Sequence, residues 1–167
     1  LQPTVQPVFK AFLDAAAVAG IPCEIVQGTR THAEQQTVYD QGRIDPGRVV
    51  TNAKPGDSYH QYGLAVDVVP VAYKSLPDWN PNGPDWAKIG AIGEGLGLTW
   101  GGRWSKPDKP HFQLTAAPLA ELKAYWEKFK QVMPIEITPT IAGGAIILLI
   151  GVFIVMFYEP LKEKLGL

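Results

Sequence analysis

The pattern of apolar and polar positions changes between helical spacing and short strand-like runs over the first 130 residues. Val8, Phe9 and Phe12 recur at intervals of three and four, which predicts a helix over residues 5–19 that ends at Gly20. Short apolar runs bounded by glycine or polar residues predict strands. The predicted strands cover residues 24–27, 64–69, 98–100 and 111–114.

Start and stop signals place three further helices. Thr31 followed three residues later by Glu34 is a capping-box pattern, and it predicts a helix that continues to about Gln41. Two more helices are predicted over residues 85–96 and 118–130. Helices and strands are short and interleaved without a regular βαβ rhythm. The predicted fold class is therefore α+β, with a small, mainly antiparallel sheet flanked by helices.

The C-terminal part of the sequence has a different pattern. No charged residue occurs in the 22 positions from Ile137 to Tyr158. A helix of that length is about 33 Å long, enough to cross a hydrocarbon core of about 30 Å. A buried core helix is the alternative, but a small domain cannot surround a helix that is apolar on all sides. The sequence thus predicts a soluble domain over 1–133, a linker over 134–140, a transmembrane helix over 141–158 and a tail over 159–167.

Composition and charge exclude several classes of protein. Fifteen Lys and Arg stand against 16 Asp and Glu, and no basic run is present, so we expect no nucleic-acid partner. A charged fraction of 19% with a hydrophobic fraction of 46% excludes a disordered chain. The single cysteine, Cys23, excludes an intramolecular disulfide framework and any cysteine-rich zinc site.

Candidate metal chemistry is concentrated in two segments. His60 precedes Asp67 by seven positions, and His111 opens the last predicted strand, three residues after Asp108. Two imidazoles and a carboxylate with a fourth position left to water are typical of catalytic zinc. Either segment alone could equally be a solvated loop histidine beside a turn-forming aspartate, so the prediction depends on their combination. His32 could be a further ligand, although its place in the first turn of a predicted helix favours an exposed polar residue.

These segments resemble a known family. The pattern Ser-x-His-x-x-Gly-x-Ala-x-Asp over residues 58–67, with Asp-x-x-His-Phe over 108–112, resembles the zinc D,D-carboxypeptidase and endopeptidase family of cell-wall enzymes. Residues 28–53 resemble its L-alanyl-D-glutamate endopeptidase branch, which includes many phage endolysins. Residues 100–104 resemble the Trp-Gly-Gly-x-Trp stretch of that branch. The resemblance covers roughly residues 22–114.

The resemblance implies a role for each residue that matches its motifs. It implies Zn²⁺ held by His60, Asp67 and His111, with Asp108 as the general base. Arg30 would donate hydrogen bonds to the oxyanion or to a substrate carboxylate. Ser58, Tyr59 and Trp104 are the expected substrate-binding residues, although Tyr59 and Trp104 could equally belong to the core. Without the resemblance, Asp108 could be a turn residue and Arg30 a surface charge beside a helix.

The sequence therefore predicts a membrane-anchored zinc metallopeptidase that hydrolyses peptidoglycan stem peptides. An endolysin-like L-alanyl-D-glutamate endopeptidase is the first expectation, and a D,D-carboxypeptidase of the same family is the alternative. A catalytically silent cell-wall-binding protein and a virion membrane protein are further alternatives. Since the substrate lies outside the cytoplasmic membrane, we expect the anchored catalytic domain to face the periplasm or cell wall. Lys162 and Lys164 beyond the apolar run agree with that orientation. Lys123, Lys128 and Lys130 on the other flank favour the reverse orientation, but they lie on a predicted folded helix, where the loop-charge rule applies poorly.

Overall fold

The chain divides into two units, of which the first holds all the candidate site residues. A computed structural model describes residue 1, residues 5–115 and residues 117–132. The first unit is Leu1–Thr115, and the second begins at Ala116. The predicted linker, transmembrane helix and tail lie outside the described residues. Among the residues that are described, no helix is long and apolar enough to cross a membrane.

A four-stranded antiparallel sheet forms the centre of the first unit and confirms the predicted α+β class. Its strands lie in the order β1-β2-β4-β3, and every neighbouring pair is antiparallel. Strand β2 lies inside the sheet, and its residues are buried except for the half-buried Asp67. The strands are β1 (Cys23–Gln27), β2 (Ala65–Pro70), β3 (Thr99–Trp100) and β4 (His111–Gln113).

The helices are found where the sequence predicts them, with ends that differ by one or two residues. They are α1 (Gln6–Val18), α2 (His32–Asp40), α3 (Asp85–Gly95) and α4 (Leu119–Val132). The rings of Phe12 in α1 and Phe112 in β4 are 4.5 Å apart and belong to one buried core. A Cβ atom on Gly93 of α3 would lie 2.7 Å from the Phe112 ring. Glycine at this position therefore allows α3 to pack closely against the sheet.

Two local features place chain segments beside β2. Thr31 caps α2 as predicted. Its side-chain oxygen accepts a hydrogen bond from the backbone N–H of Glu34, and the Glu34 carboxylate accepts one from the backbone N–H of Thr31. The cap fixes the short connection that carries Arg30. A 3₁₀ helix, Tyr59–Tyr62, carries His60 and ends at Gly63, whose φ of 68° is left-handed. Glycine adopts that conformation without steric cost, and the chain then enters β2.

The segment after β2 contains an uncommon turn. Asp78, Trp79 and Asn80 have φ angles of 48°, 54° and 50°, so three consecutive non-glycine residues are left-handed. L-residues with a Cβ pay a steric penalty in this conformation. Trp86 Nε1 donates to Asn80 O at 2.9 Å, and Gly83 N donates to the same oxygen at 2.9 Å. These bonds hold the turn in place.

Candidate metal centre and active-site cleft

The three predicted metal ligands converge on one point. His60 Nε2 is 3.2 Å from His111 Nδ1, and each of these nitrogens is 3.3 Å from Asp67 Oδ1. The two histidines are only 3% and 7% exposed. The three atoms thus form a nearly equilateral triangle inside the protein.

The sheet explains how residues so far apart in the sequence meet. Asp67 and His111 are directly opposed in the antiparallel β2–β4 pair. Opposed residues in such a pair project from the same face of the sheet. His60 reaches that face from the 3₁₀ helix before β2. The spacing between His60 and Asp67 and the pairing of β2 with β4 together assemble the cluster.

The donor set fits a zinc ion. A tetrahedral site with bonds of about 2.0–2.1 Å has neighbouring ligand atoms about 3.3 Å apart, which matches each side of this triangle. Asp67 Oδ1 is buried and lacks a well-oriented hydrogen bond to any residue that the structure describes. A buried carboxylate oxygen without a hydrogen-bond donor is expected where a cation binds. Burial alone would raise the pKa of Asp67, but the hydrogen-bonding groups and charges of His111 and His60 hold it far below its ordinary value.

Outer contacts orient both imidazoles. His60 Nδ1 is 2.8 Å from the Gly28 carbonyl oxygen, and His111 Nε2 is 2.9 Å from Gln113 Oε1. With these nitrogens as donors, His60 Nε2 and His111 Nδ1 keep free lone pairs for a metal. Gln113 in turn donates to Thr115 Oγ1 at 3.0 Å. Sequence reasoning missed Gln113; its signal is its place two residues after His111, on the same face of β4.

Arg30 is held beside the candidate ligands by a second residue that the sequence did not reveal. Its Nη2 atom is 3.9 Å from Asp67 Oδ2, and Nη1 donates to Gln35 Oε1 at 2.9 Å. Gln35 is fully buried and donates to the Ala53 carbonyl oxygen at 2.7 Å. The Arg30 guanidinium is therefore directed into the cleft rather than exposed on the surface. Gln35 lies in the segment that resembles the endopeptidase branch, but that resemblance implied no role for it.

Asp108 lines the same cleft as the three candidate ligands. Its backbone N donates to Gly101 O at 3.0 Å, and its carbonyl accepts from His111 N at 3.3 Å. A Cβ atom on Gly101 would lie 2.5 Å from the Asp108 carbonyl oxygen, so glycine permits this close approach. Burial, then the negative charge of Asp67, raises the pKa of Asp108 above its ordinary value. The structure therefore places a carboxyl group suited to proton transfer next to the cluster.

The predicted substrate-binding residues also line the cleft. Ser58 and Tyr59 directly precede His60 in the chain and line the first part of the cleft. Trp104 is 40% exposed, and its ring lies 5.1 Å from the ring of His111. Burial raises the pKa of Tyr59. Trp100 is instead a core residue, since it is buried and its Nε1 donates to Lys109 O at 2.8 Å. Of the two tryptophans in the motif, only Trp104 forms a wall of the cleft.

The cleft extends beyond the cluster into a second cavity. A first cavity of about 230 Å³ contains all three candidate ligands, and a second of about 600 Å³ lies next to it. Five residues line both cavities: Arg30, Val50, Thr51, Asp67 and Asp108. A chain bound at the cluster could therefore extend from the first cavity into the second.

His32 and Cys23 do not belong to the cluster. His32 lies in the first turn of α2, outside the group formed by His60, Asp67 and His111. Burial, followed by the charge of Asp85, raises the pKa of the Cys23 thiol to about 11. A thiol with that pKa is not a nucleophile at neutral pH.

Several known proteins are similar to this chain in sequence or in fold. A family described as D-alanyl-D-alanine carboxypeptidase, peptidase M15, matches residues 51–114. The chain is 38% identical over 122 residues to the peptidoglycan L-alanyl-D-glutamate endopeptidase CwlK of Bacillus subtilis (strain 168), covering 68% of this chain and 73% of the relative.

Two solved structures have a similar fold at low sequence identity. The LdcB LD-carboxypeptidase matches with a TM-score of 0.56 and 18% identity, over 78% of this chain and 68% of its own. The L,D-carboxypeptidase DacB from Streptococcus pneumoniae matches with a TM-score of 0.51 and 20% identity, over 77% of this chain and 75% of its own. Together with the identity to CwlK and a His–Asp–His cluster that fits zinc, these comparisons show that the chain belongs to the peptidase M15 family of zinc-dependent metallopeptidases.

Proposed function

We propose that the protein is an endopeptidase that cleaves the L-alanyl–D-glutamate bond of peptidoglycan stem peptides. The observation that carries the proposal is the cluster of His60, Asp67 and His111 in a cavity that adjoins a second, larger one. An endopeptidase must hold the substrate chain on both sides of the scissile bond. The name and 38% identity of the CwlK relative support the choice of bond.

His60 Nε2, Asp67 Oδ1 and His111 Nδ1 would hold the zinc ion through the three atoms of the triangle. When bound there, zinc supplies Lewis-acid polarisation of the scissile carbonyl and lowers the pKa of the attacking water. Gly28 O and Gln113 Oε1 keep the two imidazoles in the tautomers that this role requires.

Asp108 acts as general base and then as general acid. Its carboxylate takes a proton from the water as the water oxygen bonds to the carbonyl carbon. It then gives that proton to the leaving amine nitrogen as the C–N bond breaks. The raised pKa of Asp108 suits both steps. A carboxylate whose pKa lies closer to neutral pH is a stronger proton acceptor, and it can still donate the proton to the leaving amine.

Arg30 stabilises negative charge that develops on the carbonyl oxygen. Its guanidinium is positioned beforehand by Gln35, so that little reorganisation is needed when the charge appears. The charge-assisted hydrogen bonds of Arg30 are stronger than those of a neutral donor.

Ser58, Tyr59 and Trp104 bind the substrate on the side of the first cavity.

A D,D-carboxypeptidase is the second candidate, because the matching family carries that description. A carboxypeptidase removes the last residue of a chain and needs space for only one residue beyond the scissile bond. The second cavity, of about 600 Å³, exceeds that need and favours the endopeptidase.

Digestion of purified sacculi by the zinc-loaded protein, followed by mass analysis of the products, tests the proposal. We expect peptides with a free glutamate amine and glycan strands that keep the L-alanine. Release of free D-alanine would favour the carboxypeptidase instead. An unchanged muropeptide profile would contradict both activities.

We further propose that residues 141–158 anchor this enzyme to the bacterial cytoplasmic membrane, with the catalytic domain facing the periplasm or cell wall. The support is the uncharged run from Ile137 to Tyr158 in the sequence. An endolysin-like role in phage release is compatible with the same arrangement.

A further inference from the structure

The second cavity has a composition of its own. Its walls combine polar and charged residues with apolar ones, among them Val26, Val38, Val49, Trp79 and Pro110. It meets the first cavity at Arg30, Asp67 and Asp108, which also line the reaction site. A substrate held at the cluster would therefore pass directly into it.

The left-handed turn over residues 78–80 places Trp79 at this cavity. Trp79 has a φ angle of 54°, and its side chain is 37% exposed although it lies in a folded segment. Residues held in costly backbone conformations occur preferentially at ligand-binding sites, because the surrounding structure must maintain them. The turn thus keeps a large aromatic surface available along the wall of the cavity.

The charges of the two cavities differ. Arg30, Asp67 and Asp108 line both, whereas Arg48 lines only the second and Asp57 only the first. Arg48 thus adds to the wall of the second cavity a guanidinium that the first cavity lacks. A guanidinium at this wall can bind a substrate carboxylate that enters the second cavity.

We propose that the second cavity is the subsite for the glutamate side of the scissile bond, with Arg48 binding the free carboxylate of that glutamate and Trp79 packing against the chain beyond it. The inference deepens the proposed function and rests on it. In an L-alanyl–D-glutamate bond, the glutamate supplies the leaving amine and brings a carboxylate with it. The alanine side carries no comparable charge and occupies the first cavity.

The ion pair between Arg48 and Asp78 is compatible with this role. Arg48 Nη2 is 2.5 Å from Asp78 Oδ1, and the side chains are 73% and 56% exposed. Exposed ion pairs are weak because water screens them. A substrate carboxylate can therefore share or replace Asp78 at the guanidinium, while Asp78 holds Arg48 toward the turn that carries Trp79.

The test compares two synthetic stem peptides that differ only at the glutamate, one with its free carboxylate and one with that group as an amide. In the zinc-loaded full chain, Arg48→Gln should lower kcat/KM for the carboxylate peptide about tenfold, mainly through KM, the loss expected of one charge-assisted contact. The amide peptide should be affected by less than about threefold. An equal loss for both peptides, or no loss for either, overturns the proposal.

Asp78→Asn is the matched control for the ion pair. It removes the same pair but leaves Arg48 charged, so the preference for the carboxylate peptide should persist or increase. If Asp78→Asn instead abolishes the preference as Arg48→Gln does, Arg48 acts only by holding the turn, and the proposal is wrong. Arg43→Gln removes a charge from the same segment, at a residue that lines neither cavity, and should leave the preference unchanged.

Trp79 is tested by Trp79→Ala and Trp79→Phe with substrates extended beyond the glutamate. The alanine variant should raise KM for the extended peptide more than for a peptide truncated after the glutamate, and phenylalanine should restore most of the difference. Equal effects on both lengths overturn the assignment of Trp79.

Direct binding separates failure of the subsite from failure of the proposed function. If wild-type protein cleaves neither peptide, the proposed function fails. Calorimetric titration with the uncleaved peptides then decides the subsite: tighter binding of the carboxylate form, lost in Arg48→Gln, supports it, and equal binding of the two forms overturns it.

Discussion

Gln113 Oε1 lies 2.9 Å from His111 Nε2, on the side of the imidazole opposite the nitrogen that faces Asp67. The glutamine is 8% exposed and the histidine 7%, so water cannot easily replace this hydrogen bond. A neutral amide oxygen therefore sets which nitrogen of His111 carries the proton, and with it which nitrogen is available to a metal.

Removal of this acceptor should weaken zinc binding without removing a ligand. Gln113→Leu leaves the His111 Nε2–H buried without its partner, and we expect zinc affinity to fall about 10- to 100-fold. Gln113→Glu keeps an acceptor oxygen at the same place and should retain most of the affinity. Competition with a chromophoric chelator measures both. Wild-type affinity in Gln113→Leu would show that the contact is only structural.

The three ligands should each be indispensable. His60→Ala, Asp67→Ala and His111→Ala remove one corner of the triangle, so we expect loss of stoichiometric zinc and of peptidase activity. His32→Ala is the matched histidine control and should keep both. Elemental analysis of the purified variants measures the metal. One equivalent of zinc in His60→Ala would count decisively against the assignment.

Asp108→Asn should separate metal binding from catalysis. The amide is similar in size but cannot accept a proton, so zinc content and folding should be unchanged, and kcat should fall at least about 100-fold. Circular dichroism, zinc content and turnover on muropeptides provide the three readouts. A fully active variant would place the general base elsewhere.

Zinc affinity should depend on pH in a defined direction. Burial opposes a charge on His111, but the Asp67 carboxylate beside it, with Gln113 and Asp108, outweighs burial and raises the pKa of His111 above 6.5. Below that raised pKa the zinc-free protein binds a proton that zinc must displace. Affinity should therefore fall by about tenfold per pH unit as the pH drops through it, and level off above it.

Calorimetry in buffers of different ionisation enthalpy would count the protons released on zinc binding. About one proton should be released when the pH lies below the raised pKa of His111, and fewer above it. For the zinc-free fold the pH dependence is opposite: the stabilisation from charged His111 is present at low pH and is lost as the pH rises through the folded-state pKa. Proton release that is constant across this range would contradict the assignment.

The membrane anchor predicted from residues 141–158 can be tested on the full chain in cells. With a C-terminal tag, protease added to spheroplasts should digest the catalytic domain and spare the tag, because Lys162 and Lys164 favour a cytoplasmic tail. Protection of the domain until the membrane is permeabilised would indicate the opposite orientation, in which release must precede cell-wall cleavage. Recovery of the protein in the soluble fraction would contradict the anchor.

Local sequence signals predicted much of the fold. The Thr31 capping box, the glycine after α1 and the apolar spacing of Phe9 and Phe12 depend on neighbouring residues, so each can be identified without knowledge of the fold. The residues of the metal cluster were predicted from their motifs. How Asp67 and His111 come to lie side by side follows from the pairing of β2 with β4, in which they are directly opposed.

Features that depend on distant contacts could not be predicted in the same way. Gln35 and Gln113 are ordinary polar residues until the fold brings them to Arg30 and His111. The left-handed conformation of Trp79 has no glycine to indicate it, and hydrogen bonds formed elsewhere in the chain stabilise it. Contacts with distant residues therefore give Gln35 and Gln113 their roles. The backbone conformation of Trp79 is one that a non-glycine residue rarely adopts, so the surrounding structure must maintain it.

The direct opposition of Asp67 and His111 across β2 and β4 has a consequence for how such chains can diverge. A single inserted residue within either strand would turn one ligand to the opposite face of the sheet. Insertions between β2 and β3, where Trp79 lies, would leave this pairing intact. Evolution can therefore lengthen or replace the turn that contacts the second cavity while the metal cluster is retained, so that substrate choice and hydrolytic chemistry can change separately.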